Sequence, residues 1–166
     1  MPQCVVIADD LTGGNATGVL LKKMNYQAYT VMNTESMDLQ ALEDCDCVIY
    51  PTDSRGVAPE VAYQRVYDIC SLLKDDAVKV YSNRIDSTLR GNLGSETDAM
   101  LDCLGEDYVA IVAPCFPASG RIVIGGYMLV PFIKQILPST RKHLLRCPKW
   151  KYSFMSRANT KQHPFS

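Results

Sequence analysis

The sequence has only two histidines, His143 and His163, a single tryptophan, Trp150, and no Cys-x-x-Cys pair among its seven cysteines. That scarcity removes the usual donors of a zinc site. The cysteines, at positions 4, 45, 47, 70, 103, 115 and 147, are odd in number and mostly embedded in apolar runs. They read as small core residues kept reduced, which points to the cytoplasm. Long apolar runs are missing as well. The first is too short for a secretion signal, and the longest, Ile122 to Ile133, is interrupted by Gly125, Gly126 and Pro131, so no membrane partner is expected. Phosphate-binding signatures are also lacking. No Gly-Lys-Ser/Thr occurs, and Gly13-Gly14-Asn15-Ala16-Thr17-Gly18 lacks the glycine spacing of a dinucleotide fingerprint.

One sign of charge is missing from the end of the chain. Residues 131–166 hold eight Lys or Arg and no acid, a net of +8, whereas residues 1–130 hold nine Lys or Arg against all eighteen acids, a net of 9 − 18 = −9. A basic stretch with interleaved aromatics attracts phosphates. This one has no repeat and no amphipathic face, and it carries Pro131, Pro138, Pro148 and Pro164. No nucleic-acid partner is expected, and the segment reads as a different kind of sequence joined to the first. The expected organisation is a domain over residues 1–130 and a poorly structured basic tail over 131–166. A chain of this length can bury roughly 70% of the surface its unfolded form exposes, enough for one core.

What is present is a repeated pattern of apolar runs that end in polar loops. Gln3 to Ala8 reads as a strand and runs into Asp9-Asp10-Leu11-Thr12-Gly13, after which Ala16, Val19, Leu20 and Met24 fall at helical spacing. Cys47 to Tyr50 runs into Pro51-Thr52-Asp53-Ser54-Arg55-Gly56, and its helix follows with Pro59 at the start and Ala62, Val66, Ile69, Cys70 and Leu73 on one face. Val78 to Tyr81 leads to Ile85-Asp86-Ser87-Thr88-Leu89-Arg90-Gly91-Asn92 and a helix marked by Leu93, Thr97, Met100, Leu101 and Leu104. Tyr108 to Ala113 reads as a strand buried on both faces, followed by a loop with Ser119, Gly120 and Arg121, and Ala28 to Asn33 supplies a fifth strand. Alternating strands and helices argue for an α/β fold: an open, mostly parallel sheet with helices on both faces, Rossmann-like. In such sheets ligands bind beyond the carboxyl ends of the strands. Asp9, Asp10, Arg55, Asp86, Arg90 and Arg121 would all lie there.

These blocks carry a resemblance. Ile7-Ala8-Asp9-Asp10-Leu11-Thr12-Gly13, Asp53-Ser54-Arg55, Ile85 to Asn92 and Pro117-Ala118-Ser119-Gly120-Arg121 resemble, in order and spacing, the amino-terminal domain of the four-carbon acid sugar kinases. The resemblance covers residues 3 to about 130. It departs from the family at Gly14, where alanine is common, and at Ala16, where many members carry an aspartate. It implies the substrate-binding half of an ATP-dependent kinase that phosphorylates threonate, erythronate or 3-oxo-tetronates. ATP with Mg would bind a carboxyl-terminal domain for which this chain has no counterpart, so the chain alone is expected to be inactive. On this reading the tail is the altered end of a truncated product. The implied partner is a small sugar acid, and no feature of the sequence sets an oligomeric state.

Sugar phosphorylation needs an oriented hydroxyl, a group to accept its proton, and positive charge for the anionic substrate. Asp10 and Asp86 are the catalytic candidates, as base or as holders of the sugar hydroxyls. The motifs offer Asp9, Thr12, Ser54, Arg55, Ser87, Thr88, Arg90, Asn92 and Arg121 as substrate-binding candidates. The bland alternative is that the arginines form salt bridges to Asp53 or Asp86. Magnesium phosphatase chemistry fits less well, because the side chains of adjacent Asp9 and Asp10 diverge on an extended segment. A sugar-acid-binding module without catalysis, or an inactive remnant, is the remaining alternative.

Overall fold

The computed structural model describes residues 2–32, 42, 44–124 and 127–130, and the backbone of 143–146. The described chain forms two compact units, Met1–Asp86 with Arg90–Val112, and Ser87–Leu89 with Ala113–Ser166.

The first unit contains β1 (Cys4–Ala8), α1 (Leu11–Lys23), β2 (Ala28–Thr30), β3 (Cys47–Pro51), α2 (Pro59–Leu73), β4 (Val80–Arg84) and α3 (Leu93–Leu104). Its four strands form a parallel sheet in the order β2-β3-β1-β4. Helices cover both faces, as the alternation of strand side chains requires. Val5, Ile7 and Val48 join Val66, Cys70 and Leu73 of α2 and Ala99, Met100, Cys103 and Leu104 of α3 in one buried cluster. Ile49 and Ala8 face α1 on the other side. Pro59 opens α2, where its missing N–H costs no bond. Lys74 Nζ donates to the carbonyls of Cys103 and Leu104, at 2.9 and 3.3 Å, and so satisfies the end of α3.

Three features of this unit differ from what the sequence pattern suggests. The residues that mark α1 by their helical spacing do lie on the helix or at its C-cap, but they point outward: Ala16 is exposed, as are Val19, Leu20 and Met24 at 55%, 52% and 66%. The glycines face the sheet instead. A Cβ on Gly14 would lie 3.1 Å from Ile49 Cγ2, and one on Gly18 would lie 3.0 Å from Ile49 Cδ1. Missing side chains at this four-residue spacing let the helix backbone approach the strands, and that contact outweighs the apolar stripe. The run Tyr108 to Ala113 is in neither sheet, and Val109 and Ile111 are 83% and 91% exposed. Composition suited it to a strand, but pairing confers strand structure, and its described contact is Tyr108 packed edge-on against Tyr81 of β4. The strand predicted to reach Asn33 stops at Thr30, and Asn33 lies outside the described residues.

The second unit holds a short 3-10 turn (Pro117–Ser119), β5 (Ile122–Ile124), β6 (Tyr127–Val130) and β7 (His143–Arg146), the strands forming an antiparallel sheet in that order. Met128 is fully buried in it. Apart from the β7 backbone, the tail over 131–166 lies outside the described residues.

Candidate functional site

Strand register builds the site. Ala8 pairs with Pro51 on one side and with Arg84 on the other, so β1, β3 and β4 end level and their following loops share one edge. The loops are tied by backbone bonds from Asp9 N to Arg84 O (3.2 Å), from Thr52 N to Ala8 O (2.8 Å), and from Ser54 N to Asp9 O (3.1 Å).

Arg55 occupies the centre. Its Nε and Nη2 donate to the two oxygens of Asp9, at 2.7 and 2.9 Å, and its Nη1 donates to Asp10 Oδ2 at 2.6 Å. Nη2 also lies 3.9 Å from Asp86 Oδ1. The Asp9 side chain has no exposure and the Arg55 side chain is 23% exposed. The hydrogen bond to Asp9, with the charges of Asp9, Asp10 and Asp86, holds the guanidinium charged against the opposing effect of burial. Asp10 does two jobs. It caps α1 through Oδ1, which accepts from Gly13 N at 2.7 Å, and it stays 24% exposed at the site.

Arg90 forms the outer pair. Its Nε and Nη2 donate to Asp86 Oδ2 and Oδ1 at 2.8 and 3.1 Å, with the side chain of Arg90 67% exposed and that of Asp86 9%. The salt bridge anticipated as the bland reading is therefore present. It uses two of the five guanidinium donors. Gly91, at φ 100°, passes so close to the next loop that a Cβ would lie 3.3 Å from Arg55 Cγ. Asn92 ties the same loops together, its Nδ2 donating to Ser54 O and Val57 O at 2.9 and 2.8 Å.

Asp9, Asp10, Arg55, Asp86, Arg90 and Asn92 are thus brought together, while Thr12 is exposed in the first turn of α1. Ser54 is fully buried. In the second unit, Arg121 Nη1 donates to Ser87 Oγ at 2.7 Å, and Thr88 lies in the same short segment as Ser87. Sequence reasoning missed two residues. Arg84, at the end of β4, donates from Nε to Thr17 Oγ1 at 3.1 Å and from Nη1 to Ile85 O. Glu96, in the first turn of α3, has no exposure, and its Oε1 lies 2.7 Å from Ser54 Oγ. The signal for Glu96 was its phase: it falls with Leu93, Met100 and Cys103 on the buried face, where an acid is out of place.

The site does not suit Mg or nucleotide phosphates. Its carboxylates are taken up by arginines, and among the described residues no cluster of His, Cys, Asp or Glu can hold a metal ion. Gly13 and Gly14 are buried against Asp10, Ile49 and Ala8, so they serve packing and not a phosphate cradle. Thiol chemistry is also disfavoured, since burial pushes Cys4 up to about 11 and raises Cys45, Cys47 and Cys70. No helix among the described residues is long and apolar enough to cross a membrane.

Fold and site together define an α/β domain with a compact polar edge beyond the ends of β1, β3 and β4. Residues 4–150 match the sugar-binding N-terminal domain family, and the chain belongs to that family. The match runs past Val130. The chain is 47% identical over 149 residues to a D-erythronate kinase of Heliobacterium modesticaldum, covering 90% of this chain and 33% of that protein. It is 39% identical over 127 residues to a D-threonate kinase of Cupriavidus necator, covering 76% and 29%. A 3-oxo-tetronate kinase of Pseudomonas fluorescens is 29% identical over 128 residues. The chain therefore spans about a third of the length of the curated relatives it matches. Among solved structures, a domain of unknown function from Bordetella bronchiseptica, crystallised with citrate as a domain-swapped dimer, superposes with a TM-score of 0.70 at 32% identity, covering 78% of this chain and 33% of that one.

Proposed function

We propose that residues 1–130 bind a four-carbon sugar acid as the substrate half of a kinase acting on erythronate, threonate or a 3-oxo-tetronate. The observation that carries this reading is the level edge of β1, β3 and β4, which presents Asp10 and Arg90 to solvent beside the buried Asp86. Arg90 grips the substrate carboxylate with donors not used on Asp86. Asp10 is the preferred group to hold or deprotonate a sugar hydroxyl, because each of its oxygens accepts one bond and it is more open than Asp86. Asp9 and Arg55 form the buried floor, and Thr12, Ser87, Thr88 and Arg121 are further candidates for the substrate. ATP and Mg belong to the part of the relatives that this chain does not span. The free thiols, four of the six described ones buried, suit a reducing cytoplasm.

Calorimetric titration with D-erythronate and D-threonate tests this, with succinate as a four-carbon acid lacking hydroxyls. Saturable binding of a tetronate and none of succinate is expected, with no phosphorylation when ATP and Mg are added. Equal affinity for succinate would remove the sugar-acid reading, and ATP-dependent turnover would overturn the assignment of nucleotide binding elsewhere.

A further inference from the structure

Beneath the site, a line of short contacts runs from α3 to the end of β1. Glu96 Oε1 is 2.7 Å from Ser54 Oγ, Ser54 Oγ is 2.8 Å from Thr52 Oγ1, and Thr52 Oγ1 donates to Ala8 O at 3.0 Å. All three side chains are buried, at 0%, 0% and 7% exposure. Three contacts need three protons, and the two hydroxyls supply two. With Glu96 ionised, Ser54 donates to it and Thr52 must choose between Ser54 and Ala8 O, which leaves two acceptors facing each other. A proton on Glu96 resolves the conflict: Glu96 donates to Ser54, Ser54 to Thr52, and Thr52 to Ala8 O. The second oxygen, Glu96 Oε2, is buried with no hydrogen-bond partner. That is tolerable for the carbonyl oxygen of a neutral acid and costly for a carboxylate.

We propose that Glu96 is a positioning residue held protonated, and that its hydrogen-bond chain through Ser54 and Thr52 fixes the loop that presents Arg55 to Asp9 and Asp10. Charge agrees with the geometry. Asp9 beyond β1 and Arg55 in the loop after β3 are the charged groups acting on Glu96. Arg55 already neutralises Asp9 through two bonds, so a second buried carboxylate would share a cation that is spoken for. Burial is the first cause raising the Glu96 pKa and Asp9 adds to it, while Arg55, and Ser54 when it donates to the ionised form, oppose. The loop itself is bent sharply, with Asp53 at φ 52°, and is pinned from outside by Arg65 Nη1 on Asp53 O at 2.6 Å. The Glu96 chain pins it from inside.

Carbon-detected NMR of the side-chain carboxyls in the full 166-residue chain tests the protonation. Glu96 should keep its protonated shift at pH values above the ordinary glutamate pKa of about 4.3. Titration of Glu96 at the ordinary glutamate value overturns the proposal. Glu96→Gln donates to Ser54 as the neutral acid does, so the Arg55 Nε–H signal should stay in place, whereas Glu96→Ala should move or broaden it. Should Glu96→Ala fail to fold, the titration and the glutamine variant still decide, and a displaced Arg55 signal in Glu96→Gln counts against the proposal. One readout rests on the sugar-acid reading. D-erythronate affinity should weaken as pH rises through the Glu96 titration in the wild type and stay level in Glu96→Gln, and a level wild-type profile overturns the positioning role. Absence of any erythronate binding would sink the sugar-acid reading and leave the carboxyl titration to judge Glu96.

Discussion

The loops after β3 and β4 make the same bond in different surroundings. Each offers an arginine that takes an aspartate in a two-point grip, Arg55 on Asp9 and Arg90 on Asp86, at distances between 2.7 and 3.1 Å. Arg55 is 23% exposed and holds a carboxylate that water does not reach, while Arg90 is 67% exposed. A buried pair is costly to break, because one partner is left charged and unpaired, whereas an exposed pair contributes little to folding. The inner arginine is therefore committed to the architecture. The outer one is the cation that the proposed function assigns to the substrate.

The sharpest way to break this comparison is to remove each arginine in turn. Arg55→Ala strands Asp9 with no exposure and should cost about 3–5 kcal/mol of stability, read from urea unfolding. Arg55→Lys should recover only part, since a point charge cannot reproduce the two-point grip. Next in size is the helix that carries Asp10. Gly14→Val drives a side chain into Ile49 and Ala8 and should cost about 1–3 kcal/mol, while Ala16→Val on the exposed side should stay within about 1 kcal/mol. Comparing the two melting curves checks which face of α1 meets the sheet.

A smaller effect concerns pH. The raised pKa of Glu96 means the folded state binds a proton that the unfolded state releases at an ordinary carboxylate value. Its contribution is full below that value and is lost as pH rises through the folded-state pKa. Stability should therefore decline with pH over this window in the wild type, and Glu96→Gln should flatten the decline. The smallest stability effect belongs to Arg90→Ala, about 1 kcal/mol, because Arg90 is exposed and the buried Asp86 keeps Arg55 Nη2 at 3.9 Å as a counter-charge.

Much of this edge was legible in the sequence, for an identifiable reason. Strands that end in Asp, Ser and Arg waste apolar positions unless the ends meet, and the parallel register makes them meet. The stripes of α2 and α3 were legible because large apolar residues pack there. The packing of α1 was not, since glycine marks a close approach by what it lacks, and Gly14 and Gly18 stand in the sequence as part of a glycine run without fingerprint spacing. Glu96 was hidden for the opposite reason: a charged residue ordinarily faces water, and only its phase with Leu93 and Met100 marks it as buried. Tyr108 to Ala113 shows the limit of composition, because a run fit for a buried strand has no strand partner among the described residues.

The division of labour between the two arginines is tested most directly by titrating D-erythronate into the wild type and Arg90→Ala, with melting temperatures measured on the same samples. The account predicts a loss of roughly 1.5–3 kcal/mol in binding, about 10- to 150-fold in affinity, with the melting temperature little changed. Unchanged affinity with a clear drop in melting temperature would contradict it and make Arg90 a structural partner of Asp86.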